Sequence, residues 1–424
     1  MTTTEVSPTS LIQQSFHHQV VLVGGGAAGI TVAAQLIDQD SALDVLIIEP
    51  SNHHYYQPAW TLVGAGCYSY AQTIKSEINC IPPGVKWLQD AVESFDPDEN
   101  RLQTRNGQTV SYETLIVCPG IQLDWDAIAG LEEALGKDGV CSNYAIGGAT
   151  YTWELLNAFK GGNVLFTFPA TPIKCAGAPQ KIMYLADDIF RRNGVRTESN
   201  LTYCTAGAKI FAVKTFVQPL MQVLERKGIT VNTQHNLKEI RAQKKEAIFE
   251  VTTDDGTTTV TLPYNILHVA PPMSAPDFIK NSPLAIAAPG GWVDVHKHTL
   301  QHNRYPNVFS LGDASSLPTS KTAAAIRKEA PVLVQNLMSY LRKKPLEASY
   351  NGYSCCPLIT GFGKTILAEF DYDGKLEQSF PLDPTQERYS MWVLKRHILP
   401  WVYWNRMLKG KQHEGELIRA WLSV

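Results

Sequence analysis

Residues 20–49 read VVLVGGGAAGITVAAQLIDQDSALDVLIIE, and this stretch decides the fold. Its first four residues form the apolar run of a buried strand, and the glycine cluster 24–29 is a tight turn. The spacing then predicts a helix over 30–37 and a second strand over 44–48 that ends at Glu49. Strand, glycine turn, helix and strand make a nucleotide-binding βαβ unit. Gly24 permits the turn, and Gly26, with Ala27 and Ala28 after it, lets the backbone approach a pyrophosphate at the helix N-terminus. Gly29 allows the helix to lie close on the strand. Glu49 follows Gly29 by about 20 residues, where a carboxylate grips a ribose hydroxyl. A glycine turn without a ligand is the alternative for the motif alone; the flanking strands, helix and acid together favour the dinucleotide.

A strand over 115–118 ends at Pro119-Gly120 and reads as the return of the chain from this unit. A second α/β unit follows, with strands at 163–168, 201–203 and 229–232 and helices at 179–192 and 216–226. Residues 237–270 are strand-rich, with a turn at Asp254-Asp255-Gly256. A strand over 307–311 then leads into Gly312-Asp313. Asp313 is placed to reach the ribityl chain of a flavin, and a helix beginning after Thr319-Ser320-Lys321 aims its N-terminus at the flavin N1 and C2 carbonyl edge. Asp313 as a plain helix N-cap is the competing reading. The expected fold is α/β, with two tandem Rossmann-like domains resembling glutathione reductase. The expected division is a disordered tail over 1–16, a discontinuous FAD-binding domain over 17–137 and 271–345, a second Rossmann-like domain over 138–270, and a C-terminal region over 346–424.

The chain has 424 residues, is 44% hydrophobic and carries a net charge of −3, which gives no general basic field for nucleic acid. Eight cysteines over this length are too few for a disulfide scaffold and fit a reducing compartment. The first 16 residues hold no Lys or Arg, so no secretory signal or transit peptide is visible. No apolar run approaches the ~18 residues of a spanning helix.

Two cysteines stand out. Cys175 lies in Pro-Ile-Lys-Cys-Ala-Gly-Ala-Pro and Cys356 in Gly-Tyr-Ser-Cys-Cys-Pro, both read as Gly/Pro-punctuated loops. Cys175 precedes a helix, and that N-terminus with Lys174 and Lys181 lowers a thiol's pKa. Buried structural cysteines are the alternative, and Cys67, Cys80, Cys118, Cys141 and Cys204 are read that way. In a nicotinamide-fed flavin reductase, the first strand of the second domain runs into another glycine turn. Here it runs into residues 169–175, where Pro169 and Pro172 remove backbone donors and no glycine admits a pyrophosphate. This argues for a thiol-reactive electron donor in place of NADH. His296, His298 and His302 lack helical ligand spacing, and no metal site is expected.

At these residues the chain resembles the sulfide:quinone oxidoreductases of mitochondria and some bacteria. The resemblance covers residues 18–410 and rests on HYYQP at 54–58, WTLVGAG at 60–66, PIKCAGAPQK at 172–181, HVAPPM at 268–273, PTSKT at 318–322 and YSCCP at 353–357. It implies FAD held by Gly24, Gly26, Ala27, Ala28, Gly29, Glu49, Gln57, Val92, Gly120, Gly312, Asp313 and Lys321. It also implies a catalytic pair, Cys175 and Cys356. Hydrosulfide would open their disulfide or longer sulfur bridge at Cys356, leaving a persulfide there and a thiolate at Cys175 that passes electrons to the flavin. A small acceptor such as sulfite or glutathione would take the sulfane sulfur, and ubiquinone or a plastoquinone-like quinone would take the electrons. Cys355 departs from the family pattern, in which a hydroxyl residue commonly precedes the second cysteine, and leaves open which of Cys355 and Cys356 carries sulfur. The third catalytic cysteine of another branch of the family has no clear counterpart.

Residues 388–411 mix Trp, Tyr and Leu with Lys and Arg, and Pro400 divides them into two short helices. They read as a membrane-surface and quinone-entrance element, or as a hairpin packed on the protein's own core. The former implies a peripheral membrane protein on a cytoplasmic or matrix-facing side. Both halves of the flavin site lie upstream of this element, so flavin binding should not need it. Competing functions are a flavoprotein sulfide dehydrogenase donating to a cytochrome, a type II NADH:quinone oxidoreductase, and a non-catalytic flavin-binding redox sensor.

Overall fold

The computed structural model describes residues 15–411, and the first described element is strand β1 (Ser15–Val23). Its last four residues are wholly apolar and buried, as a central strand of a parallel sheet requires. Helix α1 (Ala27–Gln39) returns over it to β2 (Val45–Ile48), which pairs parallel with β1. Two close approaches fix the turn between them. Gly24 has φ +109°, which side-chain-bearing residues avoid, and a Cβ on Gly29 would meet the Gly24 carbonyl oxygen at 1.9 Å. On its other side β1 pairs parallel with β3 (Thr109–Val117), which also takes Val308–Ser310 at its C-terminal end. These strands, with Lys86–Leu88, Arg101–Thr104 and Val92–Asp96, form a seven-stranded sheet.

β1 starts earlier than the sequence suggests. Ser15 and Phe16 pair with Thr109 and Val110, and His17 Nδ1 lies 3.0 Å from Ser111 Oγ. The polar start of β3 thus recruits residues expected in a disordered tail. The rest of that tail, residues 1–14, and the end of the chain from 412 lie outside the described residues.

The second sheet has five parallel strands in the order Val140–Cys141, Ile266–His268, β4 (Gly162–Phe168), β5 (Ser199–Thr205) and Thr230–Asn232. Helices α2 (Ala178–Arg192) and α3 (Lys214–Lys227) belong to this layer, and α2 buries nearly every residue of its first three turns. A three-stranded antiparallel sheet from His235 to Pro263 turns at Asp254-Asp255. Helix α4 (Ala323–Leu341) is capped by Thr322, whose Oγ1 accepts from the Ala325 N–H at 3.1 Å. Asp313 is therefore not the cap; it lies in a single 3₁₀ turn, Gly312–Ala314.

The C-terminal region differs most from its sequence reading. Cys356 lies in a strand and not in a loop: β6 (Ser354–Gly361), antiparallel to β7 (Lys364–Phe370). Every residue of β6 is buried, so its apolar run has no solvent face to alternate with. The segment after it is one helical run. Tyr389–Val393 is α-helical, Leu394–Ile398 is a π turn, and Leu399–Asn405 is α-helical again with Pro400 at its start. A wide π turn accommodates a proline that has no N–H and crowds the preceding carbonyls, so Pro400 does not split the run. Met391, Trp392, Leu394, Val402, Tyr403 and Trp404 face inward, whereas Tyr389 and Trp401 are 69% and 55% exposed. One side of the element is thus core. Among the described residues no helix is long and apolar enough to cross a membrane.

Candidate active site

A cavity of about 820 Å³ runs between the two sheets and the C-terminal run. At one end lie Gly25, Gly26, Ala27 and Ala28, which open α1, and Glu49 at the end of β2. Glu49 Oε2 accepts from the Gly25 N–H and Oε1 from the Ser51 N–H, both at 2.8 Å. Burial pushes its carboxyl up, against those two N–H donors. Gly25 also has to be glycine, because a Cβ there would meet Glu77 Oε1 at 2.6 Å and the Glu49 side chain at 2.8 Å. At the other end, Asp313, Lys321, Thr322 and Ala323 bring the N-terminus of α4 to the cavity, with Gly120 and Gln57 between.

Of the residues expected to hold FAD, those just named and Gln57 line the cavity. Gly24, Gly29 and Gly312 shape the turns behind it, and the Gly312 N–H donates to Glu329 Oε2 at 2.8 Å. Val92 lines no part of it. Its side chain is 3% exposed in the first sheet, where it pairs with Thr104.

Cys175 follows β4 and precedes α2, in a left-handed conformation with φ +50°. Its N–H donates to the Lys321 carbonyl at 2.8 Å, and its carbonyl accepts from the Ala178 N–H at 2.7 Å. The loop that replaces a nucleotide turn is therefore tied to the segment entering α4, and Cys175 faces the cavity. Cys356 approaches from behind. A Cβ on Gly177 would meet Cys356 Sγ at 2.6 Å, so glycine at 177 makes room for the second sulfur. Both cysteines are free thiols.

Lys181, on the first turn of α2 and 2% exposed, donates to Cys175 Sγ at 3.1 Å. The Cys356 thiol bonded to Cys175, together with Lys181, holds the Cys175 thiol well below its ordinary value despite burial. The same contact, with burial, drives Cys356 up. Burial opposes the Lys181 charge, but the two sulfurs outweigh it and push its pKa up. The pair thus favours one thiolate at Cys175 and one thiol at Cys356. Lys174 turns away from the sulfur and donates to Gln57 Oε1.

Cys355 does not compete for this role. Across the ribbon Cys355 pairs with Glu369 and Cys356 with Ala368, so adjacent cysteines point to opposite faces. Cys356 packs with α2, whereas Cys355 packs with the first sheet's core. Burial and Glu369 push the Cys355 thiol well above its usual range.

The C-terminal run supplies residues that sequence reading missed. Lys395, on the π turn, is 4% exposed, lines the cavity and donates to the Pro58 carbonyl at 2.8 Å. Burial, and then Lys181, push its ammonium down to about 8. Tyr403 lies 2.6 Å from His54 Nε2, and His54 Nδ1 lies 3.3 Å from Glu77 Oε2. Leu394, Leu399, Val402 and Met407 complete this wall. The cavity around the flavin positions is therefore built in part from residues beyond Arg388. A buried lysine in an aromatic run was the available signal, but its amphipathic look pointed outward to a membrane.

The histidines set aside as metal ligands are otherwise engaged. His302 Nδ1 accepts from the Arg304 and Tyr305 N–H groups, and His298 Nδ1 lies 2.9 Å from the Tyr350 carbonyl. Among the described residues no cluster of His, Cys, Asp and Glu could hold a metal ion.

Residues 18–145 match the pyridine nucleotide-disulphide oxidoreductase family. The mitochondrial sulfide:quinone oxidoreductase of Mus musculus is 47% identical over 394 residues, which is 93% of this chain and 87% of that protein. The chain belongs to the sulfide:quinone oxidoreductase family. The mitochondrial sulfide:quinone oxidoreductase of Dictyostelium discoideum is also 47% identical, over 93% of this chain and 86% of its own length. The sulfide:quinone oxidoreductase of Aquifex aeolicus has the same fold, with a TM-score of 0.78 at 19% identity over 96% of each chain.

Sulfide:quinone oxidoreductases are FAD-dependent enzymes, and the residues of this chain fit that cofactor. The α1 turn is open at Gly26, where a Cβ would meet nothing within 4 Å. Glu49 places a carboxylate on the cavity wall beside that turn, and the α4 N-terminus with Lys321 faces the far end. Lys321 itself is buried, which pushes it down to about 8 against the pull of Asp313.

Proposed function

We propose that this enzyme oxidises hydrosulfide at the Cys175/Cys356 pair and passes two electrons through FAD to a quinone of the ubiquinone or plastoquinone type. The observation that carries the reading is a thiol pair bridged by a buried lysine, standing where a nicotinamide enzyme has its second glycine turn. FAD held by the α1 turn, Glu49, Asp313 and Lys321 would supply a two-electron carrier between the thiol pair and quinone.

The residues do the rest. With the pair as a disulfide, hydrosulfide attacks Cys356 Sγ, the S–S bond breaks, and Cys175 leaves as the thiolate that Lys181 stabilises. Cys175 is the better leaving group because its thiol is the more acidic. A small nucleophile, sulfite or a thiol such as glutathione, then takes the outer sulfur from the Cys356 persulfide and frees the Cys356 thiolate. Closing the disulfide again releases two electrons, which leave through Cys175 because that sulfur faces the cavity. Lys181 and Lys395 make this end of the site attractive to anions such as hydrosulfide and sulfite.

We place the enzyme on a membrane surface, on the cytoplasmic or matrix-facing side. Exposed Tyr389 and Trp401 on the C-terminal run support that placement. The apolar cavity wall of Leu394, Leu399 and Val402 lies on the same run and suits a quinone.

Anaerobic stopped-flow tests the reading. Sulfide should bleach the flavin band, NADH should not, and decyl-ubiquinone should restore the band. Fast bleaching by NADH, or none by sulfide, would sink it.

A further inference from the structure

The β6–β7 ribbon has a second face that the sulfur chemistry does not use. Its register turns Cys355, Pro357, Leu367 and Glu369 to one side, and all four line the cavity with Phe380 and Leu394. In this apolar surround a carboxylate is costly unless it is well bonded. Glu369 is 4% exposed and is held by three donors. Tyr353 Oη donates to Oε1 at 2.6 Å, Ser379 Oγ donates to Oε1 at 2.5 Å, and the Ser379 N–H donates to Oε2 at 2.9 Å. Ser379 is half-buried and follows exposed Gln378. A half-buried hydroxyl next to an exposed residue is therefore hydrogen-bonded to a carboxylate on the wall of an apolar chamber.

We propose that Glu369, supplied through Ser379, delivers a proton to the quinone during reoxidation of the flavin. This rests on the quinone reading above. Reduction of a quinone to a quinol takes two electrons and two protons. The electrons and one proton come from the reduced cofactor; the second proton passes from Glu369 to a ring oxygen as its O–H bond forms. The carboxylate left behind is reprotonated from water through the Ser379 hydroxyl. Cys355, beside it on this face, is held too weakly acidic by burial to compete. Tyr353, whose hydroxyl also lies 3.4 Å from Arg327 Nη2, orients the carboxylate.

The half-reactions separate this role from a structural one. FAD-loaded protein is photoreduced without sulfide and mixed with decyl-ubiquinone, and the return of the flavin band is timed. Glu369→Gln keeps shape and loses the transferable proton. It should slow reoxidation by about 10²-fold, the usual worth of a positioned general acid, while bleaching by sulfide keeps its wild-type rate. Glu369→Asp should recover part of the loss, and Ser379→Ala should fall between, because its backbone N–H still holds Glu369. The infrared difference spectrum on quinone reduction should carry a carboxylic C=O band that Glu369→Gln removes. A Gln variant reoxidised at the wild-type rate overturns the proposal. So does one that loses both half-reactions together with thermal stability and is not restored by Asp. Reduced wild-type protein that quinone fails to reoxidise would instead refute the proposed function.

Discussion

Replacing Lys181 by Met removes the cation 3.1 Å from Cys175 Sγ and keeps a stem of similar length on a 2% exposed site. A hydrogen bond to a charged group contributes about 1.5–3 kcal/mol, equivalent to about 1–2 pH units in the titration of the group it stabilises. Losing the cation favours the neutral thiol, so the Cys175 pKa rises. Below both midpoints the thiolate fraction then falls by about 10- to 100-fold. The thiol does not return to its ordinary value, because the bond from Cys356 is the larger cause of its acidity and survives the substitution. The assay is the pH dependence of iodoacetamide labelling at Cys175 in the reduced FAD-loaded enzyme, followed by peptide mass. Lys395→Met is the comparison. Its ammonium donates to Pro58 and not to sulfur, so the midpoint should move less. An unmoved midpoint in Lys181→Met, or a larger shift in Lys395→Met, would refute the assignment of Lys181 as the thiolate's partner.

Gly177→Ala introduces a Cβ 2.6 Å from Cys356 Sγ and 2.5 Å from Leu358 Cδ2, so it should cost about 1–3 kcal/mol and slow disulfide closure; thermal melting and sulfide bleaching rates measure both, and wild-type values in each would show that the sulfur does not need this space. Cys175→Ser and Cys356→Ser should each abolish sulfide-dependent quinone reduction, with the double variant hardly worse, whereas Cys355→Ser should keep sulfide bleaching; loss of bleaching in Cys355→Ser would contradict the register of β6. Glu329, buried beneath Gly312, has a carboxyl pushed by burial from 4.5 up to about 7. The unfolded chain loses this proton first, so stability should fall by about 3 kcal/mol as pH rises from 4.5 through 7, and Glu329→Gln should flatten that slope in urea unfolding. Deleting the chain from Arg388 removes Leu394, Lys395, Leu399, Val402 and Tyr403 from the cavity wall, so the flavin-to-protein absorbance ratio should drop sharply; full flavin retention would show that the upstream halves suffice.

The sequence alone was enough for the nucleotide-binding unit and the second α/β layer, and it singled out the segments around Cys175 and Cys355-Cys356. These features are local or strictly periodic. A parallel strand is a continuous apolar run, a tight turn demands glycine at fixed spacing, and the prolines at 169 and 172 forbid a second such turn. What tertiary structure decided depends on contacts between residues far apart in the chain. The choice between Cys355 and Cys356 needed the register of β6 against β7, because a shift of one residue exchanges the two faces. Nothing in the local sequence marks Glu369; its setting comes from Tyr353 and Ser379, which close on it. Residues 388–411 carry a composition that suits a membrane interface and a core equally well. Only the packing of Tyr403 on His54 and of Lys395 on Pro58, across more than 300 residues of chain, shows that Leu394, Lys395, Leu399, Val402, Tyr403 and Met407 wall the cavity. Hydrophobicity states that a side chain leaves water; it does not state what covers it.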